Sequence, residues 1–458
     1  MSDIIAAYAA MAIEWKTFLF FGLLFLFIML GVPLTFVLGG LSVMFIFAEF
    51  QANPGSDGLY LVASKMWDLM ETSSLIAIPL YVFMAMVLER SGVAHDLYRM
   101  MHLWWGGLRG GLAIGTVLIC TIFAAMSGIS GAAVVTMGTI ALPQMLSRGY
   151  NARLALGAIN SGGGWGILIP PSILMVLYAL ITEVSIGKLF AAGVGPGLLL
   201  FVLVSLYIGI RCWIQPSMGP ALPAEDRGTW PEKLAALRSV LLPIMIIVMV
   251  LGAIFSGLAT VTEAAAVGVL GALVASAVNR RLNWDLVREA AIRTFRLTTL
   301  ITWIVFAAHA YSTAYTAMGA EGFITSLTSQ IPGGHWGALF FMMVVLFFLG
   351  MVLDPVGIML ITLPVFLPLV NAHGFDPIWF GILFVVMMEI SYMTPPFGFN
   401  LFYLRSVTQS DPSMRHLTMK DIYMSVGPYA VVELFGLFLI VLFPAVALWL
   451  PNLLFSGN

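Results

Sequence analysis

Two sets of oxygen-bearing and backbone-breaking residues stand out in a chain otherwise dominated by apolar side chains. The first is Ser127-Gly128-Ile129-Ser130-Gly131, followed by Gly162-Gly163-Gly164-Trp165-Gly166 and then by Pro170-Pro171-Ser172. The second is Asp354-Pro355, followed by Thr394-Pro395-Pro396-Phe397-Gly398 and Asn400. Hydroxyls, carboxylates and the backbone carbonyls freed where Gly and Pro interrupt a helix are hard ligands, suited to a sodium ion. The hydroxyls of Ser127 and Ser130, with close backbone approach at Gly162, Gly164 and Gly166, place one such ion in the first set. Asp354 and Thr394 are the ion candidates of the second. Each has a structural alternative. Ser127 and Ser130 can bond back to helix carbonyls, and Asp354 can cap a helix that opens on Pro355. Beyond each break a new half-helix begins, and its free N–H groups can hold a carboxylate without any buried Arg. Pro171, Ser172, Phe397, Gly398 and Asn400 would line that space, and neither break contains a basic residue.

Other residues carry less. Glu263 follows Thr262 at a helix start, where it complements the helix dipole. Glu389 lies one turn before the second break. His309 reads as a hydrogen-bonded interior histidine. Cys120 and Cys212 sit in apolar surroundings without CxxC or Cys/His spacing, so neither a metal centre nor a disulfide framework is expected. There is no GxxxxGK followed by Ser or Thr, and hence no ATP hydrolysis by this chain. No cofactor is expected apart from sodium as a coupling ion.

The elements that must hold these residues follow from composition. Of 458 residues, 61% are apolar and only 9% charged, against about 25% charged in soluble domains. The mean hydropathy is +1.02. So few charges cannot cover the surface of a water-soluble fold this size, and the chain is read as a multi-pass protein of the lipid bilayer. With 20 basic and 22 acidic residues, no nucleic-acid partner is expected. The N-terminal segment lacks the basic start of a cleaved signal, so the first span is expected to be retained. Apolar segments run over 17–48, 74–90, 110–146, 153–183, 188–210, 240–278, 297–318, 335–370, 378–407 and 424–450. They are continuously apolar, which marks helices rather than barrel strands.

Most of the basic residues fall in loops that the positive-inside rule assigns to the cytoplasm, leaving Lys16, Lys65 and Lys188 outside. Arg109 and Arg148 then share a side, so 110–146 must enter and return as a re-entrant hairpin with its tip at 127–131. By the same logic 335–370 returns to the outside, with its tip at Asp354-Pro355. A broken helix follows each hairpin. The chain thus reads as an all-α inverted-repeat transporter with two re-entrant hairpins and two broken helices, its site at mid-membrane between the breaks. Five regions are expected: scaffold and arm helices over 1–108, a transport region over 109–211, a linker over 212–239, second scaffold and arm helices over 240–334, and a second transport region over 335–458. Segment 17–48 is interrupted by Gly31-Val32-Pro33. Repeat symmetry favours two short crossings there, with a single kinked helix as the alternative.

Ala77-Ile78-Pro79-Leu80, Ser127-Gly128-Ile129-Ser130-Gly131, Ile169-Pro170-Pro171-Ser172, Thr262-Glu263-Ala264-Ala265-Ala266, Asp354-Pro355 and Thr394-Pro395-Pro396 follow one another in this order. In this ordered set the chain resembles, over essentially its whole length, the large membrane subunit of tripartite ATP-independent periplasmic (TRAP) transporters. The resemblance implies a bacterial inner-membrane, sodium-coupled importer of small organic anions that works by an elevator motion. It also implies two partners, a small four-helix membrane subunit and a periplasmic solute-binding protein. Ala133-Val134-Val135-Thr136-Met137-Gly138 is similar to the branch linked to 2-oxoacids, polyols and aromatic acids. The family often carries a β-branched or polar residue where Gly162–164 stand, and usually a neutral one at Glu389. A stand-alone sodium/anion symporter of similar architecture and a passive channel are the other transport readings. Gly128-Ile129-Ser130-Gly131 also matches the GxSG of rhomboid intramembrane serine proteases, with Ser130 as nucleophile and His309 as nominal base.

Overall fold

The structure is a computed structural model describing residues 7–52, 58–128, 130–223, 227–328 and 331–455. Every regular element among the described residues is helical, as the continuously apolar segments require in a medium that offers no partners to backbone groups. Among the described residues, seven helices are long and apolar enough to cross a membrane, by length and composition.

The helices occur in one order twice. In the first half, Ile13–Met29 and Leu34–Ala52 precede Gly58–Glu71, Ala77–Arg90 and Val93–Trp105. The hairpin Gly111–Ser127/Ser130–Ser147, the interrupted helix Ala152–Gly164/Ile173–Thr182 and the long helix Ile186–Ile214 complete it. In the second half, Trp230–Phe255 and Val261–Val278 precede Trp284–Ala317 and Ala320–Thr328. The hairpin Gly334–Gly350/Pro355–Ala372, the interrupted helix Pro377–Tyr392/Phe399–Ser410 and the helix Met419–Leu442 follow, with Ala445–Phe455 at the end. The 34 residues of Trp284–Ala317 stand where the first half has two helices, Gly58–Glu71 and Ala77–Arg90.

Segment 17–48 forms two helices that turn at 30–33. Gly31 there has φ +80°, a conformation that costs a side-chain-bearing residue dearly, and Pro33 cannot donate to a continuing helix. The linker expected over 212–239 is shorter than read. A capping box between Thr229 and Glu232 starts a helix at Trp230, satisfying two N–H groups that would otherwise be orphaned. The helix Val261–Val278 is capped in the same way by Thr260 and Glu263, whose carboxylate accepts from the Thr260 N–H at 2.7 Å. Glu263 is therefore a capping residue, as its place in the first turn suggests.

The chain divides into two compact units. One runs to Leu75 and adds Arg296–Val345 and Val356–Pro377. Inside it Phe20 stacks on Tyr311 with ring centroids 4.1 Å apart. Lys16 pairs with Glu49 at 2.9 Å, both side chains largely buried. The other comprises Ile76–Phe295, Leu346–Pro355 and the chain from Ile378. It therefore holds the first hairpin, both interrupted helices and the tip of the second hairpin. At its centre Leu154–Gly164 and Trp379–Tyr392 are buried on every face, the pattern of helices enclosed by protein on all sides. At its edge Arg90 donates two hydrogen bonds to the carboxylate of Glu289, which also pairs with Arg293.

Candidate ion and substrate site

The first interrupted helix owes its shape to its glycines and prolines. Ala152–Gly164 ends in the Gly run, passes through a short 3-10 turn at Trp165–Ile167, and bends through a cis Pro170-Pro171 bond before restarting at Ile173. The second interrupted helix repeats the device. It ends at Tyr392, contains a cis Pro395-Pro396 bond, and restarts at Phe399 after Gly398, whose φ is +44°.

The first hairpin tip closes onto the first break. Gly128 has φ +62°, and a Cβ there would lie 3.0 Å from the Pro171 carbonyl oxygen and 3.5 Å from the Ile173 nitrogen. Only a residue without a side chain permits this approach. Ser130 opens the second arm and is buried. Ser127 ends the first arm, but its side chain and Ile129 lie outside the described residues. The second arm also packs on the second interrupted helix, with Gly131 against the Tyr403 ring and Gly138 against Leu404. The glycine run makes three different close approaches. A Cβ on Gly162 would meet Cys120 and Val117 at 3.0–3.1 Å, one on Gly163 would meet Val134 at 2.5 Å, and one on Gly164 would meet Glu389 at 3.2 Å. Gly166 is buried within the 3-10 turn.

The remaining residues named from the sequence separate by environment. Ser172 is fully buried and N-caps Ile173–Thr182; its Oγ donates to the Ile167 carbonyl at 2.6 Å and accepts from the Met175 N–H at 3.4 Å. Its hydroxyl thus bridges the break from within, and Pro171 beside it is buried too. Thr394 donates to the Ile390 carbonyl at 2.5 Å, the back-bonding available to a hydroxyl at a helix end. Asp354 stands immediately before Pro355–Ala372, the N-cap position. Close by in sequence, Gly350 packs directly on Ser391, so the second hairpin tip meets the end of Pro377–Tyr392 much as the first tip meets the first break. Phe397 is 53% exposed, and the carbonyl of the preceding Pro396 accepts from the Tyr423 hydroxyl at 2.8 Å. Asn400 is fully buried, and both its amide atoms lack a hydrogen-bond partner.

Asn400 belongs to a polar cluster whose other members, Glu389 apart, escaped the sequence reading. Glu433 projects from the middle of Met419–Leu442 and is wholly buried; the Ser161 hydroxyl donates to its Oε1. Glu389 lies against Gly164, one turn along the same helix from Ser161, with both carboxylate oxygens unpartnered. Trp165 lies alongside Glu433 without closing a hydrogen bond through its indole N–H. Asn160, also buried and unpartnered, lies one turn before Gly164 and so on the same helix face. A lone acid inside an apolar run was the available signal for Glu433.

The chain matches the family model of the tripartite ATP-independent periplasmic transporter, DctM component, over residues 21–446. It is 36% identical to the C4-dicarboxylate TRAP transporter large permease protein DctM of Pseudomonas aeruginosa, over 86% of this chain and 90% of that one. It is 31% identical to the ectoine TRAP transporter large permease protein TeaC of Halomonas elongata, over 93% and 97% respectively. Its fold is similar to that of the Alcanivorax borkumensis YdaH transporter, with a TM-score of 0.62 at 14% identity, covering 86% of this chain and 89% of that one. These relatives are TRAP transporter permeases, so the serine-protease reading has no support. An all-α membrane protein with a duplicated order of hairpin, interrupted helix and long helix, matched over nearly its whole length, belongs to the tripartite ATP-independent periplasmic transporter family as a large permease of the DctM type.

Proposed function

We propose that this permease imports a small organic anion across the bacterial inner membrane, driven by sodium and handed its cargo by a periplasmic binding protein. The observation that carries this reading is the closure of the first hairpin tip on the first break, at Gly128 against Pro171 and Ile173. It brings the Ser130 region to a place where helix carbonyls and restarting N–H groups meet, the arrangement of ion and carboxylate sites in broken-helix transporters. Sodium is assigned to that junction, and the anion to the restarts at Ile173 and Phe399, with the exposed Phe397 on its approach and the buried Gly398 behind it. A small carboxylate is the cargo class, in keeping with the C4-dicarboxylate name of the P. aeruginosa relative. The duplicated element order supports two halves of opposite orientation and an elevator motion. Ile13–Met29 presents exposed Trp15, Phe18, Leu26 and Met29, a face fit for lipid or for the small membrane subunit.

The test is uptake into proteoliposomes carrying this chain, the small membrane subunit and the liganded binding protein. Uptake should require all three and an inward sodium gradient, and Ser130→Ala should raise the sodium concentration needed by roughly tenfold or more at unchanged expression. Uptake by this chain alone, or sodium dependence unaltered in Ser130→Ala, would overturn the reading.

A further inference from the structure

The cluster at the heart of the larger unit is unlike the hairpin-tip junction. Glu389 and Glu433 are both buried and meet one face of Ala152–Gly164, Glu433 at Ser161 and Glu389 at Gly164 one turn along, and among the described residues neither forms an ion pair with any Lys, Arg or His. Two carboxylates without a counter-charge in a dry interior at membrane depth carry a cost that is sustained only with compensation. The side chains around them do not supply it by hydrogen bonding. Ser161 donates to one oxygen of Glu433. The other oxygen, both oxygens of Glu389, and the whole amides of Asn160 and Asn400 have no partner.

These groups nevertheless converge. The point where a Gly164 Cβ would stand is 3.5 Å from Glu389 Oε1 and 3.5 Å from Asn400 Nδ2, and the absence of a side chain there keeps the space between them clear. Buried polar groups that face one another without bonding to one another mark a missing central partner. The donor set defines that partner. It is oxygen-rich, with two carboxylates and two amide oxygens, and therefore suits a hard cation. Among the described residues no three His, Cys, Asp or Glu side chains gather anywhere, which argues against a divalent or transition-metal centre. Two neighbouring buried carboxyls share a proton rather than both ionising, so a singly charged ion balances the charge that remains, and the Ser161 hydroxyl and the amides complete its shell.

We propose that Glu389 and Glu433, with Asn160, Ser161 and Asn400, bind a sodium ion additional to any held at the hairpin tips. The inference rests on the sodium-coupled reading above. It joins the first interrupted helix, the second interrupted helix and Met419–Leu442 through one ion, so occupancy at this place holds the two breaks in a fixed relation.

The experiment uses the purified full-length chain in lipid nanodiscs, with radioactive sodium binding and sodium-dependent thermal stabilisation as readouts. Glu389→Gln and Glu433→Gln should each bind one sodium fewer per chain, or need at least tenfold more sodium for half-maximal stabilisation, while Ser130→Ala should retain this ion. Gln variants with unchanged stoichiometry and midpoint would overturn the cluster site and leave the hairpin site standing. Loss of binding in Ser130→Ala only would do the same. Retained binding in Ser130→Ala with loss in the Gln variants would support the cluster and remove the hairpin assignment. If the Gln variants do not fold, a wild-type structure determined in sodium decides. An ion coordinated by Glu389 and Asn400 supports the site, and direct or water-only bridging between these side chains overturns it.

Discussion

Replacing Ser172 by Ala separates the ligand role expected from the sequence from the bracing role that its two hydrogen bonds give it. In the structure its hydroxyl is fully buried and engaged at both ends, to the Ile167 carbonyl and the Met175 N–H. Removing an N-cap oxygen costs about 1 kcal/mol, and leaving a buried carbonyl without its donor adds about 1–3 kcal/mol. The 3.4 Å cap bond is long, which favours the lower part of both ranges. About 2–3 kcal/mol is therefore expected, a factor of roughly 30–150 in the folded-to-unfolded ratio. Reversible unfolding of the purified chain, followed by pulse proteolysis, reads that loss directly. Ser172→Thr keeps the hydroxyl and should recover most of it. In reconstituted uptake the Ala variant should lower the amount of active transporter more than it changes the apparent KM for the anion. Wild-type stability in Ser172→Ala, combined with a severalfold higher KM, would refute the bracing argument and return the residue to the substrate.

Two further outcomes follow from other parts of the molecule. Glu49→Gln should destabilise the smaller unit by about 3 kcal/mol, because it strands the largely buried Lys16 ammonium; the double variant Lys16→Met/Glu49→Leu should lose much less, and a double-mutant cycle measures the difference. Single cysteines at 148, 227 and 281, in a background lacking the buried Cys120 and Cys212, should resist an impermeant maleimide on intact cells, while those at 183 and 321 should react. The reverse labelling at 281 and 321 would dismantle the opposed orientation of the halves.

Hydropathy and the Gly/Pro interruptions made the large features of this fold readable. Both hairpins and both breaks lie where the apolar runs and their punctuation place them, since those features depend on local composition. Gly58–Glu71 and Val93–Trp105 fall within the region 1–108 expected to hold scaffold and arm helices but coincide with none of the apolar segments. They are short and mixed in character, with Lys65, Asp68 and Glu71 in one and Asp96 and Arg99 in the other, so no spanning signal marks them. The start of Trp230–Phe255 lies within a polar, proline-bearing stretch, where the capping box of Thr229 and Glu232 is the one local sign of a helix. In the site, the interruptions mark the residues flanking the breaks as candidates, whereas Glu433 carries only the signal of a lone acid in an apolar run. Its partner Ser161 is 272 positions away in the chain, and a pairing of that span exists only once the helices have packed. The same holds for Ser172, whose type fits a ligand equally well until its two bonds are seen.

The glycines of Ala152–Gly164 have a mechanical consequence. Gly157 receives the Tyr429 ring directly, and Gly162, Gly163 and Gly164 each abut a different neighbour. Contacts made by bare backbone have no rotamers with which to accommodate a shift. A slip of one residue would present Ser161 where Gly162 meets Val117, or Asn160 where Ser161 serves Glu433, and close packing leaves no slack to absorb either. The segment therefore acts as a key with a single setting. The first hairpin and the final long helix are indexed to it, and these three pieces must travel together or not at all.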